Sequence, residues 1–149
     1  MSIFNSFDIS ASGLTAQRFR MDIIAENVAN ANTTRTQDGT PYVRKVVTFE
    51  EKGEAKSFSR IFHSALNDRK QGGVKVGGVF EDTWTQANMV YDPSHPDADE
   101  NGYVTYPNVD IVTEMTNLID ASRSYEANAT AFNASKSIAQ KGLDMAQGG

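Results

Sequence analysis

The 149-residue chain contains no cysteine, so neither disulfides nor thiolate chemistry operate and the redox compartment stays open. No apolar run approaches the roughly 18 residues that a membrane span needs. Met1 to Ser10 lack the basic start and continuous apolar core of a secretory signal peptide, so a chain that leaves the cytoplasm needs another route. Basic clusters are missing as well. Fourteen Lys and Arg against 19 Asp and Glu give a net charge of -5, which offers no support to nucleic-acid binding. With 39% apolar and 22% charged residues, the composition fits one globular or fibrous soluble domain and argues against general disorder.

Catalytic motifs are equally scarce. The pairs Gly72-Gly73 and Gly77-Gly78 match neither G-K-[ST] nor G-x-G-x-x-G, and no G-x-S-x-G elbow is present. Glu50-Glu51 and Glu81-Asp82 are neighbours in sequence, which does not set two carboxylates across a substrate. His95 lies beside Asp92 and Asp97, but His63 is remote and no second ligand stands at a metal spacing, so a surface or turn-stabilising histidine is expected. Asp97, Asp99, Asn101 and Gly102 match the opening of a calcium loop, D-x-D-x-N-G. The twelfth position is Asn108 rather than Glu, and Pro93 and Pro96 occupy the place of the entering helix. An acidic turn is expected there. No catalytic residue, cofactor, metal or small-molecule substrate is predicted; a calcium-responsive adaptor remains as one competing reading.

What the chain has in abundance is heptad spacing at both ends. Ile111, Met115, Leu118, Ser122, Tyr125, Ala129, Phe132, Lys136, Ala139, Leu143 and Ala146 alternate fours and threes, and nine of the eleven are apolar. A helix from Val109 to Ala146 would be roughly 57 Å long, more than a compact domain of this size covers. Ala127, Ala131, Ala134 and Ile138 form a second stripe of small residues, suited to a closer neighbour. A second helix is expected from Phe4 to Ala31, with one seam through Phe4, Phe7, Ala11, Leu14, Arg18, Met21, Ala25 and Val28. Ile9, Ala16, Phe19 and Ile23 mark another face of it. Gly13 weakens this helix by about 1 kcal/mol relative to alanine. Arg18 and Lys136 interrupt the seams, either fixing register or snorkelling to water.

Between the helices the chemistry changes. Asn27 to Thr34 stop the first helix, and Gln37 to Pro41 read as a turn. Tyr42 to Phe49 read as a strand and Phe58 to Phe62 as a short one, with a polar loop over Glu50 to Lys56. Val74 to Trp84 read as two strands or one strand bulged at Gly77-Gly78. Asp92 to Asn108 is expected to be loop, with Pro93, Pro96 and Pro107 excluding helix and Asn108 capping the last one. The expected fold is mainly α with a small β-rich insert (α+β): residues 1-32 and 108-149 pair as a coiled-coil stalk, and 33-107 form the insert. The apolar stripes outnumber the helices available, so the stalk is expected to be completed by neighbouring subunits.

The block Gly13-Leu14-Thr15-Ala16-Gln17-Arg18-Phe19-Arg20-Met21-Asp22-Ile23-Ile24-Ala25-Glu26-Asn27-Val28-Ala29-Asn30-Ala31-Asn32-Thr33-Thr34 resembles the N-terminal signature of bacterial flagellar axial proteins, the rod and hook family. Val90 to Ala98, including Asp92, Pro93, His95 and Pro96, looks like the proximal-rod members in particular. So do Gly102 to Val109 with Pro107 and Asn108, then Glu114-Met115, then Ala121 to Asn128. Ser94 stands where glycine is expected.

The resemblance implies a structural subunit of the basal-body rod, which carries motor torque through the periplasm to the hook. It also implies export by the flagellar type III apparatus without a cleaved signal peptide. Terminal helices would pair as the inner layer of a helical tube. Implied partners are other copies, proximal and distal rod subunits and a rod-base adaptor. A cell-wall-active enzyme of the same setting is the other alternative, without a supporting motif. On this reading Leu14, Met21 and Val28 pair with Leu118, Tyr125 and Phe132 within the chain. Phe19, Ile23, Ala127, Ala131, Ala134 and Ile138 face neighbours.

Overall fold

The computed structural model describes residues 3–52, 62 and 72–147. Two long helices enclose the sequence: α1 spans Ile3–Ala29 and α2 spans Ile111–Gln147. At 1.5 Å per residue they are about 40 and 55 Å long. They run antiparallel. The Phe7 and Phe132 rings lie 5.0 Å apart at one end, and Asn27 meets Glu114 at the other. Among the described residues no helix is long and apolar enough to cross a membrane.

Among the described residues four short strands make two antiparallel pairs, so the α+β expectation holds. β1, Lys45–Glu51, pairs with β2, Val74–Glu81, from Lys45 opposite Glu81 to Glu51 opposite Val74. Thr48 faces Gly78 and Phe49 faces Val76, which leaves Gly77 as the extra residue. The glycine pair therefore marks a bulge in one strand rather than a turn between two. β3, Asn88–Tyr91, pairs with β4, Tyr103–Tyr106.

Several local expectations need correction. Asp92 to Asn108 is not all loop, because β4 lies within it. Tyr103-Val104-Thr105-Tyr106 is β-branched and aromatic with no proline inside, and Val104 is fully buried. The first strand starts at Lys45 rather than Tyr42, since Tyr42 N–H donates to the Thr33 carbonyl and Arg44 N–H to Asn108 Oδ1. It also runs on through Glu50 and Glu51, where loop was expected. Asn108 does not cap α2. Asp110 does, accepting the Val112 amide at 3.0 Å and the Thr113 hydroxyl at 2.7 Å. The strand expected over 58–62 lies outside the described residues except for Phe62, which is helical.

The core is thin. Among the described residues its buried apolar side chains are Ala16, Ile24, Ala31, Val104 and Ala121, and two of the three largest fully buried side chains are polar, Glu114 and Asn27. Gly13 is buried as well, and a Cβ there would lie 2.7 Å from Asn128 Oδ1. The glycine that weakens α1 as an isolated helix thus lets α2 approach it closely. Ile9, Ser12 and Ala16 lie on the side of α1 nearest the β1–β2 pair: Ser12 Oγ accepts the Val74 amide at 3.0 Å, and Ile9 lies beside Gly72. This side of α1 is covered in part within the chain: Ala16 is buried, while Ile9 keeps 39% exposure.

Candidate functional site: a buried polar joint and exposed apolar faces

Where α1 ends, β1 begins and α2 begins, buried polar groups converge instead of apolar ones. Asn27, 1% exposed, uses its whole amide. Its Oδ1 accepts the Tyr42 hydroxyl and the Lys45 amide, both at 2.9 Å. Its Nδ2 donates to the Lys45 carbonyl at 2.8 Å and to Glu114 Oε2 at 2.9 Å. Glu114, also 1% exposed, receives Arg44 Nε at 2.9 Å and Nη2 at 2.7 Å on its other oxygen. Arg44 reaches Asp82 Oδ2 at 3.3 Å, and its carbonyl accepts the Asp82 amide at 2.7 Å. Asn108 completes the set, accepting the Arg44 amide and donating to the Asp82 and Thr85 carbonyls.

The electrostatics follow from this packing. Burial, then Glu26, Glu114 and Glu81, push the Tyr42 phenol up to about 12. Burial pulls the Arg44 guanidinium down, but bonding to Glu114 and then Asp82 outweighs it and raises the group above its ordinary value. The Thr85 hydroxyl and amide, aided by Trp84 and Arg44, hold Asp82 below the usual carboxylate value. A carboxylate, a guanidinium and an amide held this way fix an angle between elements. Each is bonded to another element of the chain, so the arrangement braces one element against the next.

The expected pairing residues flank this stripe. Leu14, Met21 and Val28 are half-buried on α1, as are Leu118 and Phe132 on α2, while Tyr125 is exposed at 36%. Among residues expected to face neighbours, Phe19, Ala127, Ala131, Ala134 and Ile138 are exposed. Ile23 is half-buried, lining a groove of about 220 Å³ between α1, β1 and the start of α2.

The motif residues mostly tie loops down. Asn30 Nδ2 donates to the Glu26 carbonyl at the end of α1, and Thr33 donates its hydroxyl to Asn30 Oδ1; Asn32 is exposed. Asp92 Oδ1 accepts the Ser94 hydroxyl at 2.6 Å and amide at 3.1 Å, which lowers its pKa, the hydroxyl most. His95 Nδ1 accepts the Asp97 amide. Pro93 and Pro96 are exposed, and Pro107 is buried.

The calcium-like turn is engaged internally. Asp97 takes the Thr34 hydroxyl and Arg35, and Asp99 Oδ1 takes the Asn101 and Tyr103 amides. Among the described residues no three His, Asp or Glu side chains converge as metal ligands would. A shallow cleft of about 340 Å³ beside this turn is lined by Thr34, Arg35, Pro41, Pro96, Asp97 and Tyr103.

The roles of Arg44, Tyr42 and Asp82 were missed from sequence, and Glu114 stood out only as part of a motif and as negative charge near the start of α2. One signal was available: Glu114, Ala121, Asn128 and Ser135 recur every seven residues along α2. They are small or polar, so a count of apolar positions passes over them.

Residues 7–36 match the family model "Flagella basal body rod protein", and residues 100–145 match "Flagellar basal body rod FlgEFG protein C-terminal". The matched stretches hold most of α1 with Asn27, the last three residues of the β3–β4 turn, β4, and all but the end of α2 with Glu114. The chain is 46% identical to the flagellar basal-body rod protein FlgC of Bacillus subtilis, over 97% of this chain and 99% of that one. It is 41% identical to FlgC of Borreliella burgdorferi and 42% to FlgC of Salmonella typhimurium, each over 99% of this chain and 100% of the relative. The chain belongs to the FlgC family of flagellar basal-body rod proteins.

Proposed function

We propose that the chain is a structural subunit of the proximal rod of the bacterial flagellum, one segment of the shaft that carries motor torque through the periplasm. The observation that carries this reading is likeness to FlgC proteins along the whole chain, insert included. In support, many apolar side chains on the helices stay exposed, among them Phe19, Ile111, Val112, Met115 and Ile119. Such a surface suits a member of a larger bundle more than a lone molecule.

Residues 1-32 and 108-149 form the stalk, and 33-107 the insert. Leu14, Met21 and Val28 close on Leu118, Tyr125 and Phe132 in a coiled-coil-like pairing, while Ala127, Ala131, Ala134, Ile138, Phe19 and Ile23 meet other subunits. Those subunits are further copies of the chain, other proximal and distal rod proteins and an adaptor at the rod base. Delivery is by the flagellar type III export apparatus, without a cleaved signal peptide. Each helix contact is weak alone, but many acting together resist twist.

The test is deletion and recovery. Cells lacking the chain should be non-motile and without rods, and the restored chain should appear in purified basal bodies at its uncleaved mass. Normal rods in the deletion strain would overturn the reading.

A further inference from the structure

The two helices differ in length, and the excess lies at one end. The register that sets Phe7 against Phe132 places Ile3 near Lys136. The last turns of α2, from Ile138 to Gln147, therefore project about 15 Å beyond α1. Ile138, Leu143 and Met145 there are 63%, 62% and 78% exposed. Beside Leu143, Asp144 is exposed and has no partner among the described residues.

At the other end of the molecule lies the groove of about 220 Å³, with Ile23, Val46 and Phe49 among its apolar walls and Arg20 lining it. Its other cations are committed, Arg44 to Glu114 and Lys45 to Glu26. Arg20 has no partner among the described residues. The groove therefore combines apolar walls with one uncommitted positive charge.

Gln140, Leu143 and Asp144 share one helix face, so the projecting end offers an apolar and an acidic side chain together. It cannot reach the groove of its own molecule. The groove lies at the level of Asn117 on α2, and a rigid helix carries Leu143 about 39 Å from there.

We propose that the projecting end of α2 from one copy seats in the groove of a second copy, with Leu143 against Ile23 and Phe49 and the Asp144 carboxylate against the Arg20 guanidinium. This rests on the reading of the chain as a rod subunit that meets other copies, and it names one of those contacts.

The test uses the full chain in assembled basal bodies. Arg20→Glu and Asp144→Arg should each lower incorporation about fivefold, the scale of a partly exposed ion pair, and together should restore it to within about twofold. Purified variants should melt like the parent, since neither side chain has a partner within the chain. Because the protein has no cysteine, Ile23→Cys and Leu143→Cys in one chain offer a second readout. A short bismaleimide should yield a product of twice the chain mass from basal bodies. A product joined to a different axial protein, or no product from normally formed rods, overturns the seat and leaves the rod reading standing. Absence of the unaltered chain from basal bodies overturns both.

Discussion

Replacing Glu114 by Ala puts the largest load on the joint. The substitution removes the acceptor of two Arg44 bonds, at 2.7 and 2.9 Å, and of the Asn27 amide at 2.9 Å. Deleting one member of a buried ion pair costs about 3–5 kcal/mol, mostly because the survivor is left without its counter-charge. Here Arg44 keeps 23% exposure and a contact with Asp82, so about 2–4 kcal/mol is the sounder figure. For a chain of this size that is a fall in Tm of roughly 5–15 °C.

The assay is thermal and urea unfolding of the purified chain followed by circular dichroism. Glu126→Ala, at an exposed position of the same helix, serves as reference and should move stability by no more than about 0.5 kcal/mol. Glu114→Gln keeps an acceptor for Asn27 but loses the charge, and should fall between the two. Arg44→Met with Glu114→Leu removes both charges at once and should lie nearer the parent than Glu114→Ala does. If Glu114→Ala melts within about 2 °C of the Glu126→Ala reference, the network is decorative and the bracing argument fails.

Other perturbations separate the remaining contributions. Tyr42 is raised from 10.0 to about 12 in the fold, so its contribution is complete below pH 10 and is lost as pH rises toward 12. Tyr42→Phe should flatten that alkaline limb of the urea midpoint and cost about 1 kcal/mol at neutral pH for the lost bond to Asn27. Asp110 is lowered by the Thr113 hydroxyl, then the Val112 amide. Its contribution is therefore present above its ordinary value of 3.8 and lost as pH falls further. Asp110→Asn, which can still cap α2, should weaken the acid dependence of helix content; an unchanged acid profile would refute the assignment. Gln17 Oε1 is buried without a partner among the described residues, so Gln17→Met should stabilise the chain by about 1 kcal/mol, and a lower Tm would refute this. Ala131→Leu places bulk on an exposed face of α2 and should impair assembly more than monomer stability; motile cells with normal rods would count against it.

The two helices were legible because spacing carries far in a sequence: Ile3–Ala29 and Ile111–Gln147 begin and end within two residues of the spans read from periodicity. Gly77-Gly78 marked an irregularity in the sequence but left a turn between two strands and a bulge in one both open; the pairing of Thr48 with Gly78 and Phe49 with Val76 decides for the bulge. The centre of the helix contact was harder to read, for a physical reason. Apolarity points to Leu14, Met21, Leu118 and Tyr125, but helices that come close have room at the middle for only small or satisfied polar groups. Gly13, Ala121 and Asn128 occupy that line, with Leu and Met along its edges. Arg44 and Tyr42 were hidden because a strand pattern says which residues alternate, not which of them meet a helix: Arg44 meets Glu114 on α2 and Tyr42 meets Asn27 on α1. Asn108 looked like a cap because it precedes the helix, yet its amide is bound to Arg44, Asp82 and Thr85.

That the joint is polar has a mechanical consequence. Apolar helix faces can slide or roll with little change in buried area, because the hydrophobic effect has no direction. The bonds from Glu114 to Arg44 and Asn27 do have direction. Sliding α2 by one turn moves Glu114 about 5.4 Å along the axis, far outside bonding distance of either partner. One buried carboxylate therefore sets the register of the helix pair and the bearing of the β1–β2 pair in the same step, since Asn27 also holds Lys45 through both its amide and carbonyl. A twist applied to the insert would pass into both helices through these few short bonds, while the outer faces of the helices keep apolar side chains such as Phe19, Met115 and Ile119 exposed.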